Sequence, residues 1–560
     1  MSDKISFLAL GGLDEKGKNC YVLEINNNIF ILNFGISFPT NLILGVQGFI
    51  PDARYLIENK DRIKGIFIGT PSEKNFGGLN YLPTELSNIK IFTSEFNAFY
   101  IKNFIQKELN YEIVKNLVSF NIENIKITPF KISNALPMSY GFIFNINNQN
   151  IIYTEDSVIN TFKSEILTND ILKLYLIIKP EQKNLLLTST GLVSSSSGFT
   201  SPTFQIQNTL REKFDDVEDR IIVGCFSNDI YRINSVINAG FLSNRAICFV
   251  NEKTLSIFKK MNELKFINIF DIDPKTNKQR VEIIPFEELK NDKKDVVIII
   301  DEFPNNFYEF MEEICDNKFE NISLDEHDTF VYTCPTINGY EKKEADLFDD
   351  ISRSGVHKKI ILDKKFLVLS PSQEDLKFAC SIFNPTFIIP ISALFMDFSN
   401  YKSTIAKTGF NKKNILISSN GKKITFDDMQ AVNVSSIELI PQTITLGGSI
   451  EEKDNSIFER KVMRDNGVIF ASFLLDKSNL NLISSKYECI GIFDNAGQNA
   501  EKSNSANNKA TNELIEFIKG IPSGKLNIKE VREAIKKRLT KDYEKEFNKK
   551  PMVLITLLFN

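Results

Sequence analysis

The 560-residue chain contains no tryptophan and only two histidines, His327 and His357. Histidine supplies most general bases and most nitrogen ligands of catalytic metals, so a mechanism that needs a histidine cluster is excluded. Both histidines stand at turn positions before strand-like segments, where a surface location is expected. The seven cysteines are scattered without C-x-x-C spacing, which predicts reduced core residues rather than disulfides or a thiolate zinc site.

Long apolar runs are also missing. A membrane span needs about 18 consecutive apolar residues, and the longest runs here, such as Val297–Ile300, are short. The N-terminal segment lacks the apolar stretch of a signal peptide, so we expect a cytoplasmic protein with no membrane partner. The formal net charge is −4, so binding to nucleic acid would require a local basic patch.

Hydrophobic patterning divides the chain into strand-rich and mixed regions. Strand-like segments separated by Gly, Asn and Asp turns run from Ile5 to about Ile68. Between 207 and 360, strand and helix patterns alternate, which is typical of a parallel sheet. Apolar residues recur at three- and four-residue steps from Ile528 to Phe547, which predicts an amphipathic helix. The polar stretch Asn495–Ala510 predicts a mobile loop, and no internal repeat is found.

One glycine-rich segment nearly matches a phosphate-binding loop. Gly12–Asn19 fits G-x-x-x-x-G-K-[ST] except at its end, where Asn19 replaces the hydroxyl residue. The following segment, CYVLEI, has strand character, so no helix N-terminus is available to hold a phosphate. We interpret the segment as a turn between two strands.

Several segments, in order along nearly the whole chain, resemble ribonuclease J, a metallo-β-lactamase-fold nuclease with an inserted β-CASP domain. They are LALGGLDEKGKNCYVLE and LGVQGFIPDARYL near the N-terminus, PMSYG at 137–141, RIIVGCFSNDIYR at 220–232, QEDLK at 373–377 and KKPMVLITLL at 549–558. The resemblance implies an α/β fold (an α+β sandwich): an αββα core, an inserted parallel α/β domain and a small C-terminal α/β domain. The implied bounds are 1–206 and 361–431 for the core, 207–360 for the β-CASP domain, 432–450 for a linker and 451–560 for the C-terminal domain.

The resemblance also implies hydrolysis of RNA phosphodiesters by two zinc or manganese ions, which histidine and aspartate side chains would hold. At the corresponding positions the chain has other residues, namely Asn33, Thr70, Ser72, Lys74, Asn75, Asn134, Thr188, Phe366, Ser370 and Ser392. Asp156, in the segment YTED, alone retains a ligand carboxylate. Because a metal centre needs three or four protein ligands, we expect no metal cofactor.

Lys74 adds an electrostatic argument against metal binding. Its ammonium group would stand where two cations are expected, and like charges repel. Asp156 is then predicted to be either a structural carboxylate bonded to the backbone or the ion-pair partner of Lys74.

The elements that would hold RNA are altered as well. The family's glycine- and serine-rich turn matches Asp301–Asn305, where two carboxylates should repel phosphate. On the C-terminal helix, Lys536, Lys537, Arg538 and Lys541 are candidate RNA contacts. The alternative is an ordinary solvated helix face with salt bridges.

These replacements predict a catalytically degenerate subunit, a scaffold or regulator of RNA decay. Its expected partner is a catalytic ribonuclease J paralogue in a homo- or hetero-oligomer. Two alternatives stay open: an RNA-binding module, and an active metal-dependent 5′–3′ exo- or endoribonuclease with unorthodox metal ligation. The sequence favours a non-enzymatic role without deciding it.

Overall fold

The computed structural model describes the chain except at 1–2, 40–44, 160–168, 201–203, 274–277, 291–293, 338, 364–369, 441, 446–447, 452–454, 479, 493–497 and 520–527. The chain forms two compact units. The first comprises Met1–Asn41 and Gln47–Ile444, and the second comprises Leu42–Val46 and Thr445–Asn560.

Two facing sheets form the centre of the first unit. One has eight strands in the order Gln430–Ser436, Lys422–Asp427, Lys4–Gly11, Cys20–Ile25, Asn28–Leu32, Ile63–Phe67, Lys90–Thr93 and Asn110–Ile113. The other has six, in the order Phe387–Ile391, Lys183–Ser189, Gln149–Thr154, Tyr140–Ile146, Ile125–Lys131 and Phe120–Ile122. Gly12–Asn19 connects two paired antiparallel strands, which confirms the predicted turn.

Side-chain alternation along the strands explains the layers. Phe7 faces the opposite sheet, whereas its neighbour Leu8 belongs to the cluster on the other face. Between the sheets, the ring of Phe67 makes edge contacts with Phe142 and Phe144 at centroid distances of 5.3 and 5.1 Å. Helices cover both outer faces: Arg54–Glu58, Glu73–Phe76 and Glu95–Phe104 on one side, and Ile171–Leu174, Gln373–Phe383 and Phe395–Ala406 on the other. This confirms the predicted αββα sandwich.

A third sheet, entirely parallel, lies in the region between 207 and 360. Its order is Ile283–Ile284, Ala246–Phe249, Val296–Glu302, Ile221–Phe226, Thr329–Tyr332 and Lys358–Ile361. The helices Phe204–Asp215, Ile230–Leu242, Glu252–Glu263, Pro304–Cys315 and Glu341–Arg353 accompany it. The strand–helix alternation therefore produces the parallel sheet that the sequence predicts. Both histidines are exposed, as expected.

The chain returns to the sandwich after this insertion. Phe387–Ile391 pairs with Lys183–Ser189, and Lys422–Asp427 pairs with the first strand. Gln430–Ser436 continues into the segment 432–450 that the sequence assigns to a linker, and the boundary between the two units falls after Ile444. The predicted domain limits stay predictions. Further short strands are Val46–Ile50, Ile272–Asp273, Lys278–Gln279, Gln442–Thr445 and Gly448–Glu451.

The second unit has a three-stranded sheet in the order Leu482–Ile490, Val468–Leu475 and Met552–Phe559. Its helices are Asn455–Asn466, Gln498–Lys519 and Ile528–Phe547, the last as predicted. The loop predicted at Asn495–Ala510 is wrong from Gln498 onward, because a helix begins there; 495–497 lie outside the described residues. Ala506, Ala510 and Leu514, four residues apart, are buried.

The polar side chains of this helix explain the error. Tyr543, fully buried on the neighbouring helix, donates its hydroxyl hydrogen to Asn507 Oδ1 at 2.9 Å and lies 2.8 Å from Ser503 Oγ. Two polar residues of this stretch therefore serve a buried hydrogen-bond network, while the other polar residues from 501 to 509 face solvent on the outer side of the helix. In the described part of the chain, no helix is long and apolar enough to cross a membrane.

Candidate functional site

The two sheets bring most of the predicted ligand positions together at one edge of the sandwich. Asn33 follows the strand Asn28–Leu32, and Thr70–Asn75 follow Ile63–Phe67. From the opposite sheet, Glu155 and Asp156 follow Gln149–Thr154. Hydrogen bonds link these positions to one another and to Asn134, Ser370 and Ser392. Phe366 lies outside the described residues.

The centre of this edge is Glu155, which is 3% exposed. Its two carboxylate oxygens accept hydrogen bonds from the side-chain amides of Asn33 and Asn75, both at 2.6 Å. The hydroxyl of Tyr153 also donates to Glu155. Burial raises the pKa of Glu155, while the charge of Lys74 and these hydrogen bonds oppose the rise. The carboxylate is thus fully engaged with protein donors.

Beside this network, Lys74 forms an ion pair with Asp156. The distance between Nζ and Oδ2 is 3.9 Å, with side chains 34% and 24% exposed. Burial alone would lower the pKa of Lys74, but the carboxylates of Asp156 and Glu155 raise it. Asp156 also accepts hydrogen bonds from Ser189 Oγ at 2.5 Å and Ser370 Oγ at 3.1 Å. Of the two alternatives predicted for Asp156, the ion pair with Lys74 is the one that the structure shows.

Amide side chains extend the network. Asn19, fully buried, donates to Asn75 Oδ1 at 2.8 Å and to Ser392 Oγ at 3.0 Å. Asn134 donates to Thr70 Oγ1 at 3.2 Å. Two further predicted ligand positions, Ser72 and Thr188, add little to this hydrogen-bond network.

The Ser72 hydroxyl finds no partner among the described residues. Thr188 donates only to the backbone carbonyl of Ser189, at 3.3 Å.

These groups do not fit the two divalent cations that the family resemblance implies. The amide nitrogens of Asn19, Asn33 and Asn75 point N–H groups into the network, and a nitrogen that donates has no lone pair for a metal. Lys74 brings a positive charge. Within the described residues, no group of three or more His, Cys, Asp or Glu side chains is placed to hold a metal ion. The donor set therefore lacks the three or four ligands that such a centre needs.

The cleft has not closed despite these changes. A cavity of about 280 Å³ borders the network, and Thr70, Lys74, Asn134 and Asp156 line one side of it. Phe226, Asn228 and Pro335, from the region of the parallel sheet, line the other side. Space for a small ligand or a chain segment therefore remains next to Lys74.

Sequence reasoning missed Glu155, Asn19 and Ser189. Glu155 immediately follows an apolar strand and precedes Asp156, so its place at the strand end was available as a signal. Asn19 stood out only as a misfit in a phosphate-loop pattern. Its contact with Ser392, 373 positions away, has no local signature.

The candidate RNA contacts lie on the helix Ile528–Phe547 of the second unit. Lys536, Lys537 and Lys541 are exposed, and none of them has an acidic side chain within ion-pair distance in the described part of the chain. Arg538 differs, because it pairs with Asp542 at 2.7 Å and with Glu513 at 3.4 Å. Three of the four candidates are thus available to a ligand.

Comparison with known proteins identifies the family. No protein-family profile matches the chain. It is 31% identical to the uncharacterized protein MG423 of Mycoplasma genitalium, over 99% of both chains, and 29% identical to the MG423 homolog of Mycoplasma pneumoniae, again over 99% of both. It is 24% identical to ribonuclease J 2 of Staphylococcus aureus, over 98% of this chain and 97% of the relative.

A solved structure supports the fold. The crystal structure of a protein of unknown function from Enterococcus faecalis superposes with a TM-score of 0.52 at 12% identity, covering 76% of this chain and all of that one. Full-length similarity to ribonuclease J 2 agrees with the sandwich and the inserted parallel sheet. The chain is a divergent member of the ribonuclease J family.

Proposed function

We propose that this protein is a catalytically degenerate, cytoplasmic member of the ribonuclease J family that acts in RNA processing and decay. In this role it is a scaffold or regulatory subunit of a complex with a catalytic ribonuclease J paralogue. Full-length similarity to proteins named ribonuclease J 2 supports the family role. A subunit can act without chemistry of its own, because binding to a partner's folded form stabilises that form by mass action.

One observation carries the proposal: the position that the family resemblance assigns to the metal centre holds groups that bond to one another. Asn33, Asn75 and Tyr153 donate to Glu155, and Lys74 pairs with Asp156. Two-metal hydrolysis needs cations to generate hydroxide and to neutralise the phosphate. A lysine in an ion pair supplies one fixed positive charge but cannot activate water as a metal does.

The test is degradation of a 5′-monophosphorylated RNA by the purified chain in Mn²⁺, Mg²⁺ or Zn²⁺. We expect no loss of RNA above that seen with Asp156→Ala. A surface variant, Asp316→Ala, whose side chain is 58% exposed, controls for contaminating nuclease. Metal-dependent degradation that Asp156→Ala abolishes and Asp316→Ala preserves would contradict the proposal and support the alternative of unorthodox ligation.

The partnership has its own test. Light scattering on a mixture with the purified ribonuclease J paralogue from the same organism should give a complex heavier than either protein alone. Two unchanged masses at micromolar concentration would remove the scaffold role.

A second candidate function is RNA binding by the C-terminal unit, which the exposed and unpaired Lys536, Lys537 and Lys541 favour. Binding through phosphates weakens steeply with salt. Replacing these three lysines with glutamine should then reduce both the affinity and the salt slope, while Arg538→Gln should change them little because Arg538 is already paired. Affinity that is independent of salt or unchanged in the triple variant would exclude this patch.

A further inference from the structure

A second cavity, of about 390 Å³, lies on the other side of the short helix Glu73–Phe76. This volume is within the range of about 300–1,000 Å³ that is usual for small-ligand sites. Its walls come from the sandwich and from the region of the parallel sheet, both in the first unit. Neither the family metal centre nor the network around Glu155 contributes to it, except that Glu73 and Lys74 are neighbours.

Aromatic rings form much of the wall. Phe104 and Phe303 meet edge to face at a centroid distance of 4.8 Å, and Phe38, Phe76 and Tyr81 complete the apolar surface. The faces of such rings are electron-rich and attract cations. This cavity already shows that attraction, because Lys253 Nζ stands 5.4 Å from the centroid of Phe104.

Two carboxylates, Glu73 and Glu302, also line the cavity. Glu302 accepts a hydrogen bond from the backbone N–H of Phe303 at 3.2 Å and a long one from Asn251 at 3.5 Å. The carboxylate of Glu73 accepts none in the described part of the chain. Neither carboxylate has a cationic side chain within 4 Å among the described residues, and Lys253 is the single cationic residue of the lining.

The charges of the lining therefore do not balance. Above pH 8, where Glu73 is ionised, Glu73 and Glu302 supply two negative charges against one positive charge from Lys253. Phosphate would be repelled, whereas a planar cation could stack on the rings and hydrogen-bond to the free carboxylate. We propose that this cavity binds an organic cation, with a guanidinium group held between the aromatic wall and the carboxylates of Glu73 and Glu302.

The proposal carries a pH dependence. The pKa of Glu73 is raised to about 8, mainly by burial and further by the negative charge of Glu302. Burial raises the pKa of Glu302, which the N–H of Phe303 and the charge of Lys253 oppose.

The other titratable groups near Glu73 are Tyr100, Tyr340 and Asp301. Burial, and then Glu73 itself, raise the pKa of Tyr100, and burial is again the largest cause for Tyr340. Both tyrosines are thus neutral at pH 7 to 9. Asp301, fully buried, has its pKa raised to about 8 by burial. Affinity for a cation should therefore rise between pH 7 and 9 as Glu73, which lines the cavity, ionises.

The experiment is calorimetric titration of the full chain with N-acetyl-L-argininamide and, as an uncharged match of nearly the same shape, N-acetyl-L-citrullinamide. The guanidinium compound should bind, with the citrulline compound weaker by about 10- to 100-fold, since a hydrogen bond to a charged group contributes that much. Spermidine provides a second arm. Tighter binding of spermidine would identify an alkylammonium ligand, and tighter binding of argininamide would identify an arginine-type ligand.

Variants connect binding to the cavity. At pH 9, where Glu73 is ionised, Glu73→Gln and Glu302→Gln keep side-chain size and should each weaken argininamide binding by about tenfold or more. Glu326→Gln, at a side chain 70% exposed, should leave the affinity unchanged. Circular dichroism and thermal unfolding confirm that each variant is folded. Equal binding of the arginine and citrulline compounds, affinity unchanged in Glu73→Gln, or no binding at millimolar concentration would overturn the proposal.

Discussion

Glu73 and Lys74 are neighbours on one short helix and border two different cavities. The charge of Lys74 lies near opposite charges, whereas the charge of Glu73 lies near a like charge. Lys74 lies near Asp156 and Glu155, whose carboxylates raise its pKa. Glu73 borders a cavity where the nearest charge that affects it is another carboxylate, Glu302. The first charge is compensated within the protein, and the second is not.

The difference separates a structural site from a binding site. At the Lys74 side, almost every polar group bonds to another part of the chain, so a ligand would have to displace existing hydrogen bonds. At the Glu73 side, a carboxylate has no protein partner among the described residues, so a ligand would gain an interaction without breaking one. The hydrogen-bond network around Glu155 is therefore expected to serve stability, and the acidic cavity to serve recognition.

The largest effect is expected from Glu155→Leu. This change leaves the amides of Asn33 and Asn75 and the hydroxyl of Tyr153 without their acceptor in a buried site. We expect a loss of about 3–5 kcal/mol in the free energy of unfolding, measured by urea denaturation. Glu155→Gln, which keeps one acceptor oxygen, should lose about half as much. Equal stability of wild type and Glu155→Leu would show that the network is not structural.

Lys74→Met should have the next largest effect. Asp156 and Glu155 would lose their positive neighbour, but a third of the lysine side chain is exposed and solvent weakens the pair. We expect a loss of about 1–2 kcal/mol in the same denaturation experiment. The matched control is Lys342→Met, whose side chain is 88% exposed and pairs with Asp346 on the surface; its expected loss is smaller, because solvent screens a fully exposed pair. A loss no larger than that of the control would mean that the ion pair of Lys74 stabilises the protein no more than an exposed surface pair does, and the contrast between Lys74 and Glu73 would fail.

The strands and the strand–helix alternation were predictable because they follow from local periodicity, whereas the αββα layering was predicted from the resemblance to ribonuclease J. The alternation of side chains in strands such as Lys4–Gly11 can be recognised within a short stretch of sequence. The same holds for the alternation of strands and helices after 207. The helix at Gln498–Lys519 was missed because its first half is rich in polar residues, two of which, Ser503 and Asn507, contact Tyr543, a buried partner far along the chain. A prediction from composition alone takes such residues as solvated, because their hydrogen-bond partner, the Tyr543 hydroxyl, is not close to them in the sequence.

The site was predictable only in part. The resemblance supplied the positions, and an electrostatic argument linked Lys74 to Asp156. What filled the metal position could not be read off, because Asn19, Asn33, Asn75 and Glu155 meet only when the two sheets face each other. The acidic cavity is also non-local, with Glu73 and Glu302 separated by more than two hundred residues.

A smaller effect is expected from Glu73→Gln, and it depends on pH. In the folded protein the pKa of Glu73 is about 8, above its unfolded value near 4.5, so the folded state binds more protons between these pH values. Stability therefore falls as pH rises from about 4 to 8 and levels off above that range. Glu73→Gln should reduce this fall, giving a variant about 1 kcal/mol more stable than wild type at pH 8 and no more stable at pH 4.

Thermal unfolding across this pH range checks the sign. A residual fall should persist in the variant, because Asp301, with its pKa also raised to about 8, contributes in the same direction. Glu326→Gln should follow the wild-type curve. A Glu73→Gln variant that is less stable than wild type at pH 8 would mean that Glu73 has a stabilising partner.

The smallest effect is expected from Thr188→Val, and it tests whether position alone makes a residue part of the network. Thr188 stands at a ligand position, yet its hydroxyl reaches only the adjacent backbone at 3.3 Å. The next residue, Ser189, donates to Asp156 at 2.5 Å. Thr188→Val, nearly the same shape, should therefore change the free energy of unfolding by less than about 0.5 kcal/mol, whereas Ser189→Ala should cost about 1–2 kcal/mol. The reverse ranking in urea denaturation would show that the inherited ligand position still matters more than the hydrogen bonds now made around it.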